Sequence, residues 1–297
     1  MKQSFILVLS VLTFFSTFSQ SVSSKSITPP AFSAIKEAEL RHDLFTLASD
    51  SMKGRRAGTL DELRAAVWVA EQARKAGLQP AGEDSTYFQF FSLRRTQVSR
   101  SSKIQINGKS LTLGKDAWVV TPMQSRMEAP VVWLKTIADT ANDLKGKIVA
   151  MRLQPPVPLP APGMSLWGFR YTFLAIRQQS NTLKAHGAAA VILVADSTAE
   201  ASLGFVGNDF EEGLYQLEGT APQNNSIPVI LIRQSVAGNL QQTTAQALID
   251  LSTDSYLYPS VNVVAKASGT DPVLKKEYVL FSGHHDHDGV GTPEAGD

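Results

Sequence analysis

Three short, nearly unbroken apolar runs constrain this chain most: Ile148-Val149-Ala150-Met151, Ala188-Ala189-Ala190-Val191-Ile192-Leu193-Val194 and Ile227-Pro228-Val229-Ile230-Leu231-Ile232. A run of about four to eight apolar residues without polar alternation reads as a strand buried on both faces. Between the first two lies the proline-rich stretch 155–162, which no helix interior tolerates, and then 172–186, a helical segment stopped at Gly187. Strand, helix and strand in that order predict an α/β fold, a mixed sheet with helices on its faces.

The flanking segments are legible too. Residues 34–47 have apolar positions at helical spacing, and 50–58, with Gly54 and Gly58, read as a loop. Thr59 offers an N-cap with Glu62 three residues on, Leu63, Ala66, Val67, Ala70 and Ala73 share one face, and Gly77 ends the helix. Asn107-Gly108 between Ile104-Gln105-Ile106 and Leu111-Thr112-Leu113 predicts a hairpin. A further helix is expected to start at 236–240. The turn-rich Gly269-Thr270-Asp271-Pro272 separates two more expected strands, 261–265 and 278–282.

Lys2, the apolar run through Phe15 and the small polar residues after it have the layout of a secretory signal peptide over 1–20, followed by a Ser/Pro-rich linker over 21–30. The rival reading is an uncleaved membrane anchor, but the run is shorter than the roughly 20 apolar residues a spanning helix needs. The expectation is a secreted or periplasmic protein with no stable membrane insertion after cleavage. Across 297 residues, 28 basic against 27 acidic side chains leave a net charge of +1, which gives no electrostatic case for nucleic acid. The chain has no cysteine, so it forms no disulfide, and any metal site must be built from His, Asp and Glu.

Three of the five histidines lie in Gly283-His284-His285-Asp286-His287-Asp288-Gly289, directly after the apolar run Tyr278-Val279-Leu280-Phe281. Open α/β sheets carry their chemistry beyond the carboxyl ends of strands. In an extended segment His284 and Asp286 share a face and His285 points the other way. A neutral imidazole is a good zinc ligand, and a carboxylate two residues on can orient its ring. His287 and Asp288 either add to the site or are solvated loop residues. A competing reading takes Asp286-His287-Asp288-Gly289 as a fragment of a calcium loop, whose other oxygen ligands are not there.

These residues also carry a resemblance. The series 261–265, Gly269-Thr270-Asp271-Pro272, Glu277-Tyr278-Val279-Leu280 and 282–289 resembles the first active-site segment of the M28 family of zinc aminopeptidases. Leu47-Ala48-Ser49-Asp50-Ser51-Met52-Lys53-Gly54-Arg55-Arg56-Ala57-Gly58, followed by a helix and Lys75-Ala76-Gly77-Leu78, is similar to the family's opening. Leu144-Lys145-Gly146-Lys147-Ile148-Val149, Ala185-His186-Gly187-Ala188-Ala189-Ala190-Val191-Ile192 and Ile227-Pro228-Val229 resemble the protease-associated domain often inserted there.

The resemblance implies a peptidase domain in two parts, 31–95 and 256–297, around an insertion at 96–255. It implies His284 as a metal ligand for one of a pair of zinc ions, Asp286 as the catalytic carboxylate supporting the site, and a peptide or protein substrate. The bridging aspartate, the glutamate base and the other ligands come later in that family, and Glu294-Ala295-Gly296-Asp297 does not match the bridging motif. The expectation is therefore a carboxyl-terminally truncated chain without aminopeptidase activity of its own. The alternative is a non-catalytic binding module built around the protease-associated region. Among lesser signals, Lys53, Arg55 and Arg56 read as a solvated surface or an anion site. His186 reads as a helix-terminal cap, and Phe88, Phe90, Phe91, Trp118, Trp133 and Trp167 as core or interface residues.

Overall fold

The computed structural model describes residues 30–139, 143–220, 226–238, 240–242 and 244–290. The expected signal peptide and nearly all of the linker lie outside the described residues. Among the described residues no helix is long and apolar enough to cross a membrane.

The chain divides into two compact units, Met1–Thr46 and Leu47–Asp297. Described in the first are a 3₁₀ turn, Pro30–Ala34, and most of helix α1, Glu37–Leu47. Glu37 and Glu39 suit the positive amino end of α1, and Arg41 pairs with Glu37 at 2.9 Å. Leu40 and Leu44 on this helix are exposed.

The second unit begins with helix α2, Leu60–Lys75. Thr59 Oγ1 accepts from Glu62 N at 3.3 Å, the expected cap, and the chain passes through Ala76 to Gly77 at φ +78°. The Glu62 carboxylate is 3% exposed and reaches one residue further back than a standard capping box: Oε2 accepts from Gly58 N and Oε1 from Ser260 Oγ, each at 2.6 Å. That second bond ties the start of the helix to a strand some 200 residues later in the chain.

There follow β1 (Gln79–Pro80), β2 (Phe88–Val98), β3 (Lys103–Ile106), β4 (Lys109–Leu111), β5 (Ala117–Val119), β6 (Ser125–Leu134) and β7 (Ile148–Arg152). Then come α3 (Trp167–Ala185), β8 (Ala190–Val194), α4 (Ser197–Ala201), α5 (Leu203–Glu212), β9 (Leu214–Leu217), β10 (Val229–Ile232), β11 (Gln246–Leu251), β12 (Thr253–Val263) and β13 (Ala265–Lys266). Asn107 and Gly108, both at positive φ, make the expected hairpin, with Ile104 opposite Leu111 and Ile106 opposite Lys109.

Eight strands form a mixed sheet in the order β4-β3-β11-β6-β7-β8-β10-β5. Its centre is the parallel set β6, β7, β8 and β10, which contains the three apolar runs of the sequence. Alternate residues face two cores. Ile148, Ala150, Ile192 and Ile230 meet Ile104, Ile106, Leu240 and Ile249 on one side. Val149, Met151, Val191, Leu193 and Leu231 meet Ala175, Ile176 and Leu183 of α3 and Leu203, Val206 and Phe210 of α5 on the other. Helices thus cover one face, and strands and loops close the other.

β2 and β12 pair antiparallel along their whole length, from Phe88↔Val263 to Val98↔Thr253, and β9 adds to β2. The chain runs out to the large sheet along one strand of this ribbon and back along the other. β1 and β13 form a short separate ladder, Gln79↔Lys266 and Pro80↔Ala265.

Two expected elements are corrected. The strand at 278–282 does not form: the segment is irregular, Tyr278, Val279, Leu280 and Phe281 are 82–90% exposed, and no described strand pairs with them. Its composition suits a strand, but a strand also needs a neighbour to take its backbone N–H and C=O groups. The helix expected from 236 is a single 3₁₀ turn, Gln234–Val236.

Candidate functional site

Asp50–Arg55 form a 3₁₀ turn anchored by buried Met52, in which Lys53, Gly54 and Arg55 take φ values of 44°, 65° and 51°. Left-handed backbone costs a non-glycine residue on the order of 1–2 kcal/mol. What holds it here is a second segment, 285–289. Gly54 O accepts from Gly289 N and Arg55 O from His287 N, each at 3.0 Å, and Arg56 and His287 form a parallel bridge. Arg55 Nε donates to His285 O at 2.8 Å, and its terminal nitrogen donates to Leu47 O. A Cβ on Gly54 would stand 2.1 Å from Gly289 O, so both its φ and this close approach require glycine.

The loop therefore places the histidines. The His284 side chain is 78% exposed, with Nδ1 2.9 Å from Asp286 O and 3.5 Å from Asp286 Oδ1. Assigning the ring proton to Nδ1, which then donates to the carbonyl, leaves the Nε2 lone pair available to a ligand. Asp286 is half-buried. His285 turns the other way: its Nε2 is buried and has no hydrogen-bond partner among the described residues. His287 Nδ1 lies 3.7 Å from Asp288 Oδ2, with both side chains exposed.

Around this segment stand several charged groups. Arg56 pairs with Glu212 at the end of α5 and lies 5.8 Å from the ring centre of Tyr215. Arg95 lies over the same ring at 5.4 Å and donates to Glu212 O at 2.8 Å. Asp209, although it reaches solvent, has its carboxyl held above its ordinary range by desolvation, then by the nearby charges of Glu212 and Asp288, with Arg56 opposing them.

The basic loop is thus not a purely solvated surface. Lys53 is exposed, whereas Arg55 and Arg56 are half-buried and bonded within the protein. His186 caps α3 as expected, its Nδ1 2.8 Å from Thr182 O. Glu212 and Tyr215 carried no local signal of a role at this site.

Catalytic zinc ordinarily uses three protein ligands and a water. Among the described residues no group of three or more His, Asp and Glu side chains is placed to hold a metal ion. His284 and Asp286 by themselves do not fit such a centre, nor do Asp286 and Asp288 fit the oxygen cage of calcium.

No family model and no curated protein matches this sequence. Among solved structures, the chain is similar to an aminopeptidase from Aneurinibacillus sp. strain AM-1, at 17% identity and a TM-score of 0.42, over 78% of this chain and 49% of that one. It is also similar to BSAP, a zinc aminopeptidase from Bacillus subtilis, at 18% identity and a TM-score of 0.38, over 78% of this chain and 47% of that one. The chain spans about half the length of these two enzymes.

Proposed function

We propose that this chain carries the first metal-site segment of an exported, M28-like zinc aminopeptidase, with His284 as a zinc ligand, Asp286 as its supporting carboxylate and 96–255 as a protease-associated insertion. The observation that carries the reading is the docking of 54–56 onto 287–289. Both stretches bear the sequence resemblance, and they lie some 230 residues apart. Backbone bonds between them give the histidine segment a defined seat, which a vestigial, solvated tail would not need.

In this reading zinc, two ions in the complete centre, would polarise a peptide carbonyl and supply the attacking water. The residues of this chain have more limited tasks. Gly54 and Arg55 hold the segment through their carbonyls, and the Asp286 carbonyl keeps the proton on His284 Nδ1. One imidazole and one carboxylate fall short of a catalytic ligand set. The chain alone is therefore inactive. Incubated with zinc and an aminoacyl anilide, it should release chromophore only at background; turnover abolished by His284→Ala would contradict this.

A further inference from the structure

A groove of about 710 Å³ runs along α3 on the helix-covered side of the large sheet. Its floor is apolar, with Val120, Phe173 and Val229 half-buried and packed on the core beneath. Along the helix wall stand Arg170, Arg177 and Lys184, and the lining contains no acidic residue. In a chain of net charge +1 this is a local concentration of positive charge. The three cations recur every seven residues, which at 1.5 Å per residue sets them about 10 Å apart on one face of the helix.

We propose that this groove docks an acidic, apolar peptide segment in an extended, polyproline-like conformation, with its carboxylates along Arg170, Arg177 and Lys184. Polyproline II backbone advances about 3.1 Å per residue and returns to the same side every third residue, a repeat of about 9 Å that nearly matches the spacing of the cations. The conformation also suits a groove walled by side chains, since it needs no ladder of backbone hydrogen bonds. Two of the three cations are arginines, whose planar forks pair with carboxylates. Arg170 uses Nε on Ser165 O at 3.1 Å, which leaves its terminal nitrogens for a ligand. Apolar residues between the acids would cover the floor. The proposal uses none of the residues of 54–56 or 284–289, so it stands apart from the peptidase reading.

The test is fluorescence anisotropy of a labelled Glu-Pro-Leu repeat against the whole chain, with a Lys-Pro-Leu repeat as control. The Glu repeat should bind, with affinity falling as salt rises, and the Lys repeat should not. Arg177→Glu should weaken binding about tenfold or more, and Arg170→Gln, at an exposed residue, should weaken it less, both with unchanged melting. Arg126→Glu, at an exposed arginine outside the groove, and His284→Ala should leave binding as it was. Equal binding of both repeats, no binding, or affinity indifferent to Arg177 and Arg170 would overturn the proposal. So would binding to phosphatidylserine vesicles with none to the peptide.

Discussion

At Gly54 a single hydrogen atom in place of a methyl group lets two distant segments touch. Gly54→Ala should cost about 1–2 kcal/mol from the left-handed backbone alone. The larger effect is positional, because a Cβ 2.1 Å from Gly289 O cannot coexist with the docked segment. In amide hydrogen exchange the His287 and Gly289 amides should lose protection while those of Ile192 and Leu193 keep theirs; unchanged protection at 287 and 289 would refute this seat. Asp209 gives a pH-dependent prediction. Its folded carboxyl titrates above its ordinary value, so its unfavourable contribution is present above the folded pKa and gone below the unfolded one. Asp209→Asn should therefore raise the melting temperature at pH 7 and lose that advantage as the pH falls below the ordinary aspartate value of about 3.9. An equal gain at pH 7 and below that value would rule out the electrostatic cause.

At the scale of elements, α2 depends on a buried carboxylate. Glu62→Ala would leave the Gly58 amide and the Ser260 hydroxyl without their acceptor and should lower stability by about 2–3 kcal/mol in urea unfolding. A loss below about 0.5 kcal/mol would mean that water replaces the side chain. The cap itself was legible because Thr59 and Glu62 are close in sequence, but the tie to Ser260 was not, because it joins residues far apart in the chain. The same division holds elsewhere. The runs at 148–151 and 190–194 could be read as buried strands from composition alone, and Asn107-Gly108 as a turn from its φ preferences. The run at 278–281 has the same kind of composition and stays irregular, because pairing depends on a neighbour that local sequence does not specify. At the site, the proximity of His284 and Asp286 followed from their spacing, whereas their seat on 54–56 depends on backbone bonds that no side-chain pattern announces.

Across the whole molecule, stability and the proposed chemistry lie in different places. With no cysteine to cross-link it, the chain relies on the two cores of the eight-stranded sheet. The histidine segment lies in a short, irregular stretch held by a few backbone bonds. The most direct check of the central claim, that His284 is a metal ligand presented by this seat, is a zinc titration of the whole chain followed in imidazole ¹H–¹⁵N spectra. The Nε2 resonance of His284 should move first and furthest, and His284→Ala or Gly54→Ala should abolish or weaken the response, with His42 and His186 unmoved. If His284 is indifferent to zinc while His42 or His186 responds, the segment is not a metal site and the peptidase reading falls with it.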